Sequence, residues 1–279
     1  MIQQKSNQSV RATAEHIDDI RFLKEYYVEN GIFPMFKQVL IETRTDCNNH
    51  CPFCPHAFVN KPFGIMKWEC YTTIIDQLCA IGYNGRIALM ISNEPLLDNR
   101  LKDMIVYAKK HSPRFFLDIT TNGLLFSPNM LDELFDVGLD NVNINDYRGD
   151  RDKHPNKLSN NLVDVYAAYG NNPKVSFVKR RFDESLPNYA GNIPQAFNTE
   201  EYGFCNFPFR KLIVSYQGDI LLCCNDFMYN TCFGNVMKDN LLDCWNHPEL
   251  NSIRGELLNN NRTGLCLRCN DSQDYNAFS

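Results

Sequence analysis

The sequence predicts an α/β fold, a partial barrel of the (β/α)6 type followed by a small cysteine-rich C-terminal domain. Strand-like segments alternate with helix-like segments as far as Lys179. Such alternation implies parallel strands joined by βαβ crossovers. The five clear units in this sequence are too few to close an eight-stranded barrel, so a partial barrel is expected. Beyond Cys205 helical segments thin out and cysteines return, which indicates the second domain.

The individual elements follow from apolar spacing and from local start and stop signals. A polar, mildly helical extension over residues 1–36 precedes a barrel over 37–195 and a C-terminal domain over 196–279. Short apolar runs predict strands at Gln38–Thr43, Arg86–Ile91, Phe115–Thr120, Asn141–Asn145 and Lys174–Lys179. Helical spacing predicts helices at Trp68–Ile81, Leu101–His111, Pro128–Val137 and Leu162–Tyr169. Ser127 suits the N-cap of the third helix, and Gly138 suits its C-terminal end. No sixth strand can be placed from the sequence.

The bulk composition restricts the classes of function. The net charge of −5 argues against a general nucleic-acid binder, which is usually basic. The polar start, MIQQKSNQSV, has no signal-peptide core, and no apolar run approaches the ~18 residues of a membrane span. Twelve cysteines in such a chain indicate metal binding rather than disulfides. We therefore expect a protein of the reducing cytoplasm.

Three cysteines within eight residues, Cys47, Cys51 and Cys54, have the spacing C-x3-C-x2-C. A structural zinc site needs four ligands, whereas a [4Fe–4S] cluster held by three thiolates keeps one iron open for a small molecule. Together with Phe53, this segment resembles the signature of the radical S-adenosylmethionine (SAM) family. Half of a zinc site, or incidental thiols, is the alternative.

Further segments at predicted strand ends resemble elements of the same family. After the second strand, a GGEP-like element implies contact with the SAM amino group from Ser92, Asn93 and Glu94. After the third strand, a TNG-like element implies ribose contact from Thr120, Thr121 and Asn122. In the fourth strand Asn145 stands where the family commonly has a serine for the SAM carboxylate, and Asn143 shares its face. Ordinary turns are the alternative for these segments.

The resemblance implies a mechanism and its cofactors. An electron passed to SAM yields a 5′-deoxyadenosyl radical, which takes hydrogen from an unactivated C–H bond of a small-molecule substrate. An electron donor such as flavodoxin or ferredoxin is implied, and no nucleic acid or membrane partner is expected. The sequence offers no separate general base.

A second cysteine set follows in the C-terminal part. Cys205, Gly218 and Cys223 have the spacing C-x12-G-x4-C, and Cys266 and Cys269 form a C-x2-C pair. The pattern resembles the SPASM/twitch extension of the family, with Gly218 in a hairpin turn. None of the ten residues after Cys269 is cysteine, so the short, twitch-like version with one auxiliary [4Fe–4S] cluster is expected. Four such thiolates could also bind zinc. The layout resembles the aminocyclitol dehydrogenases of butirosin biosynthesis.

Other polar and thiol side chains are assigned from position alone. Cys224 and Cys232 are possible hydrogen donors to a substrate radical, with structural roles as the alternative, and Cys70, Cys79 and Cys244 are expected in the core. His56, close to the cysteine loop, could border SAM, but a solvated loop histidine is the favoured expectation. A cation at the end of the fifth strand could meet an anion, the candidates being Lys179, Arg180 and Arg181. Candidate hydroxyl-binding groups between barrel and extension are Asn188, Tyr189, Asn225 and Asp226.

The reading favoured by these patterns is a dehydrogenase of a polyhydroxylated or aminated small molecule, with the auxiliary cluster accepting an electron. A sugar epimerase with a cysteine hydrogen donor is the first alternative. A peptide-modifying maturase is the second, weakened by an N-terminal segment too short for a leader-binding domain. A zinc-binding structural protein is the alternative without catalysis.

Overall fold

A computed structural model describes residues 18–146, 161–180, 187–194 and 204–271. The first 17 residues, Arg181, the predicted boundary at residue 195 and the final eight residues lie outside the described part. The boundary therefore stays a prediction. Among the described residues, no helix has the length and apolarity required to span a bilayer.

In the part of the chain that the structure describes, seven strands form one sheet in the order β5-β4-β3-β2-β1-β6-β7, and the predicted α/β fold class is confirmed. The strands are β1 (Gln38–Ile41), β2 (Arg86–Ala88), β3 (Phe116–Thr121), β4 (Asn141–Asp146), β5 (Val175–Lys179), β6 (Lys211–Val214) and β7 (Ile220–Leu221). Each predicted strand exists, and most bounds move by one or two residues. The predicted β2 is three residues too long, because the chain leaves the ladder after Ala88 to form the SNEP turn.

The strand that the sequence did not place comes from the C-terminal part of the chain. β6 pairs in parallel with β1, in the register Gln38↔Lys211, and β7 returns antiparallel beside β6. Gly218, with φ +89°, makes the predicted hairpin turn. The first strand of this hairpin extends the barrel sheet at the β1 edge, and the predicted domain over 196–279 stays a prediction.

Helices cover the sheet and bury one face each. They are α1 (18–30), α2 (Trp68–Ala80), α3 (Leu101–His111), α4 (Pro128–Asp136), α5 (Asn161–Tyr169), α6 (Phe207–Arg210), α7 (Leu241–Trp245) and α8 (Pro248–Leu258). In α2, Cys70, Ile74 and Leu78 repeat every four residues and are buried, as an amphipathic helix requires. At the start of α4 the Ser127 hydroxyl accepts a hydrogen bond from the Met130 N–H, which confirms the predicted N-cap.

The polar side chains of the strand ends meet at one edge of the sheet. Because β1 to β6 run in parallel, their carboxyl ends and the loops that follow lie at the same edge. The cysteine loop follows β1, the SNEP turn follows β2, and the TTNG turn follows β3. Gly123 in the last turn has φ +70°, and a Cβ there would lie 2.6 Å from Leu162 Cδ2. Only glycine fits that position, so the turn is fixed by both backbone and packing.

Candidate active site and auxiliary pocket

The cysteine loop after β1 is tied at its base to the neighbouring strand end. The Arg44 guanidinium donates to both carboxylate oxygens of Asp46, at 2.5 and 2.7 Å, and also to the Leu97 carbonyl. The Asp46 carbonyl in turn accepts a hydrogen bond from the Glu94 N–H at 3.0 Å. The loop that carries Cys47, Cys51 and Cys54 is therefore held against the turn after β2, where SAM contacts are predicted.

The three loop cysteines are poorly solvated and influence one another. Burial, together with the neighbouring cysteines, raises the pKa of the Cys47 thiol to about 12 and that of Cys54 to about 11. Thiols in such surroundings stay protonated until a metal displaces the proton. Phe53 lies beside Cys54 and is partly buried. The donor set of three soft thiols on one loop fits an iron–sulfur cluster with one open iron.

Glu94 connects the predicted amino-group site with the predicted ribose site. Its carboxylate is buried and accepts hydrogen bonds from the Thr121 hydroxyl at 2.6 Å, the Asn122 N–H at 2.8 Å and the Leu96 N–H at 3.1 Å. Burial raises the pKa of Glu94, and these hydrogen bonds act in the opposite direction. Three donors from the protein already occupy this carboxylate, so Glu94 positions the ends of β2 and β3. Direct contact with SAM stays a prediction.

Asn122 reaches the cysteine loop from the end of β3. Its side-chain amide donates to the Asn48 Oδ1 at 2.7 Å and to the Cys47 sulfur at 3.7 Å. Thr120, one residue before Thr121 on β3, is partly buried. Hydrogen bonds to cluster sulfurs tune such centres, so Asn122 acts on the cluster site as well as on the predicted ribose site.

Buried polar atoms without a partner lie around the same edge. Among the described residues these include the Ser92 hydroxyl, the Asn143 amide nitrogen and the Asn49 amide nitrogen. Ser92 belongs to the predicted amino-group element, and Asn143 lies two residues before Asn145 on β4. Buried polar groups in native proteins normally have a partner, so orphaned atoms at this edge fit a polar ligand such as SAM. Asn93 is buried, and its side-chain oxygen accepts from the Ile91 N–H at 3.0 Å.

Asn145 and Arg180 form a polar pair at the ends of β4 and β5. The Arg180 Nε–H donates to the Asn145 Oδ1 at 2.9 Å. A guanidinium beside an amide donor is suited to bind a carboxylate. Lys179 is exposed. Of the cations at this strand end, Arg180 is the one that the described structure places with Asn145.

Tyr189 is presented by a left-handed turn. Tyr189, Ala190 and Gly191 have φ angles of 48°, 55° and 84°, a conformation that non-glycine residues seldom adopt. Asn188 fixes the turn, because its side chain donates to the Arg268 carbonyl at 2.7 Å and its N–H donates to the Asn270 Oδ1 at 2.6 Å. The turn is thus attached to the loop of the C-x2-C pair.

The Tyr189 phenol lies where the two cysteine sites face each other. Burial raises its pKa, and so do the Cys54 and Cys224 sulfurs and the Asp271 carboxylate, while Arg180 lowers it. The Tyr189 side chain is partly accessible to solvent. Among the described residues, no other side chain forms a hydrogen bond with the Tyr189 hydroxyl. The phenol is therefore neutral and available as a hydrogen-bond donor.

The four C-terminal cysteines line one pocket. Its lining includes Cys205, Cys223, Cys266 and Cys269 together with Asn225 and Arg262. Burial raises the pKa of Cys205 to about 12 and that of Cys266 to about 11. Thiols spread around a pocket fit a cluster, in which each thiolate binds a different iron.

Other residues predicted near this interface have structural partners. The Asp226 carboxylate accepts from the N–H groups of Asn230 and Thr231, at 2.7 and 2.8 Å. Cys224 follows Cys223 in a turn after β7. Cys232 is exposed, and its sulfur contacts the Gly234 carbonyl at 3.6 Å. Cys224 is therefore the better placed of the two possible hydrogen donors.

Two expectations for single residues are wrong. His56 is not a solvated loop residue, because its Nε2 makes a 2.9 Å hydrogen bond with the Ser92 carbonyl and its ring packs edge-on against Phe227. Cys79 is exposed rather than in the core, since it lies on the outer face of α2. Cys70 and Cys244 are buried as predicted.

A buried charged cluster beside the cysteine loop was missed by the sequence reading. The Lys61 ammonium donates to Glu42 at 2.6 Å, and the Tyr229 hydroxyl donates to the other oxygen of Glu42 at 2.5 Å. The ammonium also lies 4.5 and 4.3 Å from the ring centroids of Phe227 and Tyr229. These residues join the end of β1, the segment after Cys54 and the C-terminal part. Their spacing along the chain follows no motif, so no signal could have revealed them.

Two protein families match separate parts of the chain, and each part contains one of the two cysteine sets. Residues 41–153 match the radical SAM superfamily, and residues 205–270 match the SPASM iron–sulfur cluster-binding domain. These ranges contain the three-cysteine loop and the four-cysteine set respectively. The second match favours a cluster over zinc in the C-terminal pocket.

Full-length relatives have the same layout. The S-adenosyl-L-methionine-dependent 2-deoxy-scyllo-inosamine dehydrogenase of Niallia circulans is 27% identical over 243 residues, which is 85% of this chain and 94% of that protein. The crystal structure of BtrN in complex with AdoMet and 2-DOIA matches with a TM-score of 0.76 and 24% identity, over 86% of this chain and 95% of that one. BtrN in an open conformation matches with a TM-score of 0.65 and 23% identity, over 85% and 94%.

The predicted family is confirmed by these matches. Motif order, sheet topology and both cysteine sites agree with it. The chain belongs to the radical SAM superfamily, as an enzyme that uses S-adenosylmethionine and two [4Fe–4S] clusters, one of them in a C-terminal SPASM/twitch-type domain.

Proposed function

We propose that this enzyme dehydrogenates a small polyhydroxylated or aminated substrate, a sugar or an aminocyclitol. The observation that carries the proposal is the second pocket: four cysteines surround it, and its C-x2-C loop is hydrogen-bonded to the turn that presents Tyr189. A redox-neutral radical reaction needs no second redox centre near the substrate, whereas an oxidation must dispose of one electron. The similarity to a 2-deoxy-scyllo-inosamine dehydrogenase supports the substrate class.

SAM and its cluster, when bound, supply a 5′-deoxyadenosyl radical that removes a hydrogen atom from the carbinol carbon. Cys47, Cys51 and Cys54 would hold this cluster, and Cys205, Cys223, Cys266 and Cys269 the auxiliary one. The auxiliary cluster would accept one electron as the hydroxyl proton is lost to solvent, and the expected product is a ketone two hydrogens below the substrate.

The protein's own groups orient the reactants. Ser92, Asn143 and Asn145 provide unpaired or partly paired polar atoms for SAM, and Arg180 would bind its carboxylate. Tyr189 would donate a hydrogen bond to the substrate hydroxyl that is oxidised, because its phenol is neutral and lies between the two cysteine sites. We further propose a flavodoxin or ferredoxin as electron donor, and a cytoplasmic location, since twelve free cysteines and two clusters need reducing conditions.

The test is a product analysis. Anaerobically reconstituted enzyme is incubated with SAM, a reductant and 2-deoxy-scyllo-inosamine, with glucosamine and scyllo-inositol in parallel. The proposal predicts a product two mass units below one of these substrates, formed with one 5′-deoxyadenosine per product. Replacement of Tyr189 by Phe should leave SAM cleavage without substrate unchanged and lower product per 5′-deoxyadenosine roughly tenfold, the effect of about 1.4 kcal/mol. Unchanged coupling in that variant would remove Tyr189 from the proposal.

Epimerisation remains the second candidate because Cys224 lies near Tyr189. A thiol hydrogen delivered to the opposite face would leave the product mass unchanged in H2O and add one deuterium in D2O. Loss of that deuterium on replacing Cys224 by Ala would establish the epimerase. A mass loss of two that persists in the variant would exclude it.

A further inference from the structure

Two residues of opposite charge lie against the auxiliary pocket. The Arg262 guanidinium lines the pocket and donates to the carbonyl of Cys269 and to the carbonyl of Asp271, both at 2.7 Å. Asp271 is buried, and its carboxylate accepts a hydrogen bond from the Asn225 amide at 3.1 Å. Arg262 thereby encloses the loop of the C-x2-C pair, and Asn225 holds the carboxylate next to it.

Each charge acts on the cysteine sulfurs that line the pocket. The Arg262 guanidinium lines the pocket together with the four cysteines, and the Asp271 carboxylate is held by the same Asn225 amide that contacts the Cys269 sulfur. Charges that act on the ligands also act on a cluster held between them. A cluster gains one negative charge on reduction, so a nearby cation stabilises the reduced form and a nearby carboxylate destabilises it.

Hydrogen bonds to one ligand sulfur add to the effect of the charges. The Cys269 sulfur accepts from the Asn225 amide at 3.7 Å and from the Asp271 N–H at 3.4 Å. Such donors stabilise the electron-rich reduced cluster and are among the factors that set its potential. The pocket is also poorly solvated, since Cys223 and Cys266 are buried, so these charges are weakly screened.

We propose that Arg262 and Asp271 set the reduction potential of the auxiliary cluster in opposite directions, Arg262 raising it and Asp271 lowering it. The benefit of a raised potential rests on the proposed function, because it makes the auxiliary cluster a better acceptor of the substrate's electron. The effect of the two residues on the potential does not depend on that function. Asn225 is a positioning residue in this arrangement, because it contacts both Asp271 and Cys269.

The test measures potential without SAM or substrate. In a chain with Cys47, Cys51 and Cys54 all replaced by Ala, only the auxiliary cluster remains, and its EPR signal is followed in a potentiometric titration. Arg262→Gln should shift the potential to more negative values, and Asp271→Asn to more positive values. The expected size of each shift is about tenfold in the redox equilibrium, which is about 59 mV for one electron.

Matched controls come from the exposed pair Arg21 and Asp18, whose side chains are 68% and 69% exposed. Arg21→Gln and Asp18→Asn make the same changes in charge on solvent-exposed side chains, so they should leave the potential of the auxiliary cluster unchanged. Iron content of about four per chain verifies each sample. If Arg262→Gln fails to retain iron, Arg262→Lys keeps the charge and should retain the wild-type potential, while Asp271→Asn still tests the opposite sign.

Shifts no larger than those of the controls, or shifts of the same sign for both residues, overturn the proposal. Because no substrate is present, this result is independent of the product analysis. A failed dehydrogenation with opposite potential shifts would refute only the proposed function, and the reverse outcome would refute only this inference.

Discussion

Removing the Lys61 side-chain charge should destabilise the protein strongly. The Lys61 and Glu42 side chains are 2% and 1% exposed and 2.6 Å apart. Lys61→Met keeps the length and apolar volume of the side chain but leaves the Glu42 carboxylate with Tyr229 as its remaining described partner. A buried charge that loses its counterion costs about 3–5 kcal/mol. At roughly 2–3 °C per kcal/mol for a chain of this size, the melting temperature should fall by about 6–15 °C.

The assay is anaerobic thermal unfolding followed by far-UV circular dichroism and, separately, by cluster absorbance. Both signals should fall earlier in the variant, because the Lys61 cluster joins β1, the cysteine loop and the C-terminal part. Loss of clusters makes unfolding irreversible, so melting temperatures are compared at one scan rate. The double variant Lys61→Met with Glu42→Leu removes both charges and should recover part of the loss.

The matched control is Lys102→Met. Lys102 pairs with Glu133 at 3.0 Å, but both side chains are largely solvated. Exposed pairs contribute about 0–1 kcal/mol, so this variant should melt within a few degrees of the wild type. Equal shifts for Lys61→Met and Lys102→Met would refute the reasoning, since they would mean that burial of the Lys61 pair has no energetic consequence.

Three further outcomes are expected. Cys266→Ser should reduce the iron content from about eight to about four per chain, because one ligand of the auxiliary site is lost; full iron would assign the site elsewhere. Glu94→Gln keeps the hydrogen-bond acceptor of one oxygen but loses the carboxylate, and calorimetric SAM affinity should fall about 10-fold through misplaced strand ends; an unchanged affinity would show that Glu94 does not position the site. Asn122→Ala should lower the potential of the SAM-binding cluster, and a potential equal to the wild type would remove its hydrogen bond to Cys47 from the account.

Features encoded by local spacing could be predicted from the sequence. The Ser127 cap and the helical face of α2 depend on residues within one or two turns, and both are present. The cysteine spacings predicted two sites because C-x3-C-x2-C and C-x2-C each place several thiols within one short loop. The four C-terminal cysteines line one pocket, although Cys205 and Cys269 are 64 residues apart in the sequence.

Features that depend on distant partners could not be predicted. The pairing of β6 with β1 could not be predicted locally, because the sequence of a short apolar strand does not specify which strand it pairs with. The role of Glu94 depends on Thr121 and Asn122, which only the parallel sheet brings within reach. The left-handed turn at Tyr189 could not be predicted because Tyr and Ala disfavour positive φ angles. Gly191 is the one residue of the three that commonly adopts them.

The division of the chain into two independent cluster sites is tested most directly by replacing Cys47, Cys51 and Cys54 together with Ala. The account predicts that about four irons per chain remain, bound in the C-terminal pocket, and that reductive cleavage of SAM is abolished. Loss of all iron would contradict the independence of the two sites. Retained SAM cleavage would contradict the assignment of the active site to the three-cysteine loop after β1.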